Sequence, residues 1–146
     1  MAEAHKVFIS HSGRDKHIVE LATTALRRAG VPIWTDSAIR LGEDFIDATE
    51  RGMRDSDVFV LIVSPDFLTS ELCMYELGFA LKAQRDEAAV VIPVAIGEID
   101  VRVLPSYLRK FQVIDGRGLQ ADQIAGKVLD RLNEPQAPTP RQHAAA

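Results

Sequence analysis

Apolar positions along the chain gather in five short runs. They are Val7-Phe8-Ile9, Val31-Pro32-Ile33-Trp34, Val58-Phe59-Val60-Leu61-Ile62-Val63, Val90-Val91-Ile92-Pro93-Val94-Ala95-Ile96, and Phe111-Gln112-Val113-Ile114. The runs are continuous rather than alternating, as expected of strands buried on both faces of a parallel sheet. Pro93 lacks a backbone donor, so its strand is expected near an edge or with a bulge.

Helical spacing fills the intervals. Ile18, Leu21, Ala22, Ala25, Leu26 and Ala29 form an apolar stripe ended by Gly30. Ile46, Thr49 and Met53 predict a shorter helix, with Glu43 and Asp44 in a first turn whose dipole favours acids. Residues 72–81 predict a third helix, and Ile124, Ala125, Val128, Leu129 and Leu132 a fourth. Residues 97–109 leave room only for a short one. Strands alternating with helices imply an α/β layer fold with right-handed crossovers. Residues 134–146 carry Pro135, Pro138 and Pro140 and end in three alanines. With no apolar face to bury, they read as a linker or frayed end.

Composition narrows the function classes. The 146 residues carry 17 basic and 21 acidic side chains, and the net charge of −4 gives no electrostatic reason to expect nucleic-acid binding. One cysteine, Cys73, excludes an intrachain disulfide and a multi-cysteine zinc site. Neither an export signal nor a span of about 20 apolar residues is visible, so a cytoplasmic protein without membrane contact is expected. There is no G-x-G-x-x-G and no P-loop motif. His5, His11, His17 and His143 lack metal-ligand spacing, and Ser64-Pro65 stands where a phospho-acceptor acid would follow the third strand. No metal or cofactor is expected.

In an open parallel sheet, ligands bind beyond the carboxyl ends of the strands, near the reversal of strand order. That directs attention to residues 10–16, 36–42 and 64–76. The first segment, with His11, Ser12, Gly13 and Arg14, either meets a phosphate with backbone N–H groups or is a polar loop capped by Ser12 or Asp15. Glu20 and Glu50 have Lys16 and Arg54 at helical spacing, as in ordinary solvated pairs. Glu76 differs: its helical neighbours are Leu72, Cys73, Phe79 and Ala80, none of them cationic. At the edge of the stripe of Cys73, Leu77, Ala80 and Leu81 it is either a desolvated functional acid with a raised pKa or a flank residue that reaches water. Cys73 reads as buried and structural, since no histidine lies near it in sequence to serve as a base. Trp34 reads as core, with a base-stacking surface as the alternative.

Four segments in order resemble one family. Val7-Phe8-Ile9-Ser10-His11-Ser12 resembles the opening box of the TIR (Toll/interleukin-1 receptor) domain. Gly30-Val31-Pro32-Ile33-Trp34-Thr35-Asp36, then Ile39-Arg40-Leu41-Gly42, is similar to its second strand and BB loop. Ser56-Asp57-Val58 through Val63-Ser64-Pro65 resembles its third strand and following turn, and Ser70-x-x-Cys73-x-x-Glu76-Leu77 its next helix start. The likeness covers residues 5–133. Here the BB loop is one residue shorter than the usual pattern, with Leu41 where proline is frequent, and the first box lacks the paired arginines of some animal members.

The resemblance implies a flavodoxin-like three-layer fold: five parallel strands in order 2-1-3-4-5 with helices on both faces. It further implies cleavage of the nicotinamide–ribose bond of NAD+, to ADP-ribose or a cyclised product, with Glu76 as the catalytic acid. His11, Ser12, Gly13, Arg40, Trp34 and Cys73 would line the substrate. Ser37, Ala38, Ile39, Arg40 and Leu41 of the BB loop would complete a neighbour's site through TIR–TIR self-association. A prokaryotic immune effector, with a sensor domain following this segment, is the implied setting. Two other readings stand beside it: a non-catalytic TIR–TIR module or host-mimicking virulence factor, and a nucleoside-cleaving enzyme of similar architecture.

Overall fold

The structure, a computed structural model, describes residues 5–35 and 39–134. Its strands are β1 (Val7–Ser10), β2 (Ile33–Trp34), β3 (Val58–Val63), β4 (Val90–Ala95) and β5 (Ile114–Asp115). All pairings are parallel and the order is β2-β1-β3-β4-β5. The helices are α1 (Lys16–Arg28), α2 (Phe45–Arg54), α3 (Pro65–Leu68), α4 (Glu71–Arg85), α5 (Ser106–Arg109) and α6 (Ala121–Asn133).

Side-chain alternation along the strands divides the core in two. Phe8, Phe59, Leu61, Val63, Val91 and Ala95 face a layer holding Met53 of α2, Phe67 of α3, Cys73, Leu77 and Ala80 of α4, and Leu108 of α5. Val7, Val58, Val60, Ile62, Ile92 and Val94 face Val19 and Leu26 of α1 and Ile124 and Val128 of α6. Both faces are thus covered, which is why the strands read as unbroken apolar runs. This is the flavodoxin-like arrangement.

Several boundaries differ from the sequence expectations. β2 is only two residues long; Pro32 cannot donate to the ladder, though its carbonyl accepts from Val7 N at 3.0 Å. Pro93 lies one strand in from the edge, opposite Leu61 of β3. Ala95 O accepts from Gly116 N while Ile96 N donates to Val63 O, so alternation turns the Pro93 nitrogen toward the β5 side. The β5 ladder begins only at Val94, so no bond is lost there. In α1 the buried face is Val19, Ala22, Thr23 and Leu26, and Leu21 is exposed. In α2 Thr49 and Met53 are buried but Ile46 is exposed; Asp44 is the N-cap, accepting from Asp47 N at 3.0 Å, and Glu43 lies outside the helix. Residues 97–109 hold a 3-10 turn, Val101–Val103, and the single-turn α5. The expectations for Ser37, Ala38 and residues 135–146 lie outside the described residues.

Candidate active site

Strand order reverses between β1 and β3, so the crevice is built by the segments that leave their carboxyl ends. Ser10 closes β1, opposite Leu61 of β3, and shares the parity of Phe8. Its side chain therefore points into the α4 layer. There its hydroxyl donates to Glu76 Oε1 at 2.6 Å, a buried contact between residues 66 apart in sequence.

The placement of Glu76 follows from the start of α4. Ser70 is the N-cap, accepting from Cys73 N at 3.2 Å, and from there Cys73, Glu76, Leu77 and Ala80 form the buried stripe. Glu76 lies within that stripe and is 7% exposed. The flank residue reaching water is thereby excluded. A carboxylate taken this far from water needs hydrogen bonds, and Ser10 supplies one within the short range typical of an ionised acceptor.

Around it, the loop after β1 is tightly organised. Ser12 Oγ accepts from Arg14 N at 3.2 Å and caps the 3-10 turn Gly13–Asp15. His11 Nδ1 lies 2.9 Å from Ser12 O, and Gly13 is exposed. Asp15 does not cap α1 with its side chain. Instead its Oδ2 accepts from Ser64 Oγ, the residue just after β3, at 2.6 Å. Ser64 Oγ in turn accepts from Phe67 N at 3.1 Å, capping α3. The exposed pair Arg14–Asp66, at 3.9 Å, adds little.

The other expected site residues divide. Cys73 is 1% exposed and offers a substrate no surface, which corrects its place among the substrate-lining residues. Burial pushes its thiol pKa up, the Ser70 hydroxyl opposes that, and the Glu76 charge adds to the rise. It stays a neutral thiol beneath the carboxylate. Trp34 stacks on Phe8 with ring centroids 5.1 Å apart, and Gly52 of α2 lies against its indole so closely that a Cβ would fall 2.5 Å from Cε2. That packing holds the half-buried ring against the core. Arg40 N donates to Glu43 Oε1 at 2.8 Å, and Glu43 Oε2 binds Arg51 Nη2 at 2.5 Å, which staples this turn to α2. The Arg51 guanidinium and the Arg40 amide hold the Glu43 carboxyl below its usual range. Leu41 is fully exposed and Ile39 half-buried. Glu50 meets the Tyr75 hydroxyl of α4, in place of the expected solvated pair with Arg54.

Ser10, Asp15 and Ser64 were not singled out as site residues by sequence. Their partners lie far away along the chain, and only the strand parity of Ser10 hinted at its direction. A cavity of about 400 Å³ lies elsewhere, lined by residues 97–102 and Arg117. Its arginines, Arg102 and Arg117, are each paired with an aspartate, Asp100 and Asp115. Among the described residues, no three His, Cys, Asp or Glu side chains group to hold a metal ion, and no helix is long and apolar enough to cross a membrane.

A protein of Methanobrevibacter olleyae named as a probable 2' cyclic ADP-D-ribose synthase, TcpO, is 24% identical over 135 residues, covering 89% of this chain and 39% of that protein. The NAD(+) hydrolase TirS of Staphylococcus aureus is 25% identical over 129 residues, covering 85% and 46%. The chain thus spans less than half the length of these curated relatives. The crystal structure of the TIR domain of the Toll-related receptor TRR-2 from Hydra magnipapillata superposes with a TM-score of 0.64 at 18% identity, covering 88% of this chain and 94% of that one. The TIR domain family matches residues 7–131. The chain belongs to the TIR domain family.

Proposed function

We propose that this domain cleaves the nicotinamide–ribose bond of NAD+, with Glu76 as the catalytic carboxylate. The observation that carries the reading is the buried Glu76, held by Ser10 at the strand-order reversal. Relatives named as an NAD(+) hydrolase and a cyclic ADP-ribose synthase support the same chemistry.

Breaking the bond between ribose C1′ and the ring nitrogen returns the electron pair to nicotinamide and leaves positive charge on the ribose. A carboxylate beneath the ribose stabilises that charge and holds the hydroxyls. Nicotinamide is a cationic leaving group and departs neutral, so no acid is needed to protonate it. Water attacking C1′ gives ADP-ribose after losing a proton; a nucleophilic atom elsewhere in the same molecule gives the cyclic product. His11, Ser12 and Gly13 would line the ribose and phosphate side, with Arg40 at the rim and no cofactor required.

Glu76 is only 7% exposed, so substrate entry calls for the rim to part. Self-association through the turn that presents Leu41 would supply that rearrangement, and we place the domain in a cytoplasmic immune effector of antiphage type.

The test is NAD+ consumption by the purified domain at high concentration, beside Glu76→Ala and Glu76→Gln. Loss of NAD+ with release of nicotinamide, absent in both variants while both remain folded, is the expected outcome. Turnover retained in the variants would remove Glu76 from the mechanism. Free nucleosides tested in parallel distinguish a nucleoside-cleaving enzyme.

A further inference from the structure

We propose that Ser10 is the positioning residue of this site, its hydroxyl fixing the orientation of the Glu76 carboxylate beneath the ribose; this rests on the NAD+-cleaving reading. Ser10 is 1% exposed, so it cannot itself touch a substrate and acts only through Glu76. A serine hydroxyl has one proton to give, and the 2.6 Å contact directs it to Oε1. The donor is rigid. Ser10 ends a strand paired in register on the β3 side through Val58, Phe59, Val60 and Leu61, and a strand backbone holds its side chain to within a rotamer.

Burial raises the pKa of the neighbouring Cys73 thiol, so that thiol stays neutral and does not compete as a charge. Charged and titratable groups that share this electrostatic environment include Asp15, from the loop after β1, Tyr75, on α4 itself, and Glu50 and Arg54, from α2. Asp15 is held by Ser64, and the Tyr75 hydroxyl by Glu50. Ser10 reaches Glu76 from the sheet. A hydrogen bond to the ionised acid favours that form, so its loss raises the pH at which Glu76 takes up a proton.

Glu76 is followed by carboxyl carbon NMR in protein labelled at glutamate, with Glu76→Gln identifying the resonance. Ser10→Ala is expected to move its titration midpoint up. Ser10→Cys, which keeps the shape and weakens the donor, is expected to move it part of the way and covers the case in which the alanine variant does not fold. In NAD+ turnover, the acid limb of kcat/KM should shift with the midpoint, and kcat should fall at least tenfold with KM little changed. A midpoint and an acid limb that stay at the wild-type position in a folded variant would overturn the assignment. If wild-type protein shows no turnover, the enzyme reading fails, while the titration still decides whether Ser10 governs Glu76.

Discussion

Ser64 Oγ donates to Asp15 Oδ2 at 2.6 Å, tying the loop after β1 to the turn after β3 across the strand-order reversal. Because Ser64 also caps α3 through Phe67 N, one hydroxyl joins two functions. Ser64→Ala should destabilise the fold by about 2–3 kcal/mol, the sum of a lost cap and a lost bond to a charged acceptor. Asp15→Ala, which leaves the cap intact, should cost less. Denaturant melts of both singles and the double variant should show a coupling of about 0.5–3 kcal/mol. Strict additivity would mean the bridge contributes nothing in solution.

Trp34 and Gly52 form a second tight contact. A Cβ at Gly52 would meet the indole at 2.5–2.7 Å, and the ring is backed by Phe8. Gly52→Ala forces the indole or α2 to move, so despite alanine's better helix propensity it should destabilise by about 1–3 kcal/mol. Trp34 is the sole tryptophan, which makes its emission a direct reporter. The spectrum should change in the folded variant; an unaltered spectrum with unaltered stability would show that the contact relaxes freely.

Much of this fold was legible because the physics is local. Unbroken runs such as residues 58–63 announce a strand covered on both faces, and the apolar neighbours of Glu76 in α4 set it apart from Glu20. What sequence missed depends on distant partners. Ser10 and Glu76 lie 66 residues apart, and Asp15 and Ser64 lie 49 apart, so no spacing rule joins them. The α1 stripe is right at Ala22 and Leu26, but hydrophobicity favours Leu21, which is exposed, over Val19 and Thr23, which are buried. A preference of acids for first turns predicts Glu43 inside α2, but it lies outside the helix and binds Arg51 from there.

Asp115 gives a stability prediction with a defined pH window. Arg117 contacts it through Nε and Nη2, both at 2.8 Å, and through its backbone N at 3.1 Å. The Arg117 side chain and then its amide hold the carboxyl at about 2, below the ordinary 3.8. A lowered folded-state pKa contributes stability that is present above the unfolded value and lost as pH falls through the folded one. Wild type should therefore be more stable than Asp115→Asn at pH 7, with the difference shrinking between about pH 4 and pH 2. A difference that stays constant across that window in thermal melts would show the pair to be too screened to matter.

Leu41 tests self-association without touching the core. A fully exposed leucine beside the turn stapled by Glu43 and Arg51 is held in a fixed place and contributes nothing to packing. Leu41→Ser should leave the melting temperature unchanged within about 0.5 kcal/mol of stability. If the exposed side chain packs against a second copy, turnover per molecule in wild type rises with protein concentration, and the serine variant flattens that rise. Sedimentation of both proteins at matched concentrations supplies the independent readout: the variant should remain monomeric where wild type begins to associate. Equal association and equal concentration dependence would move the contact to another face of the domain and leave Glu76 chemistry untouched.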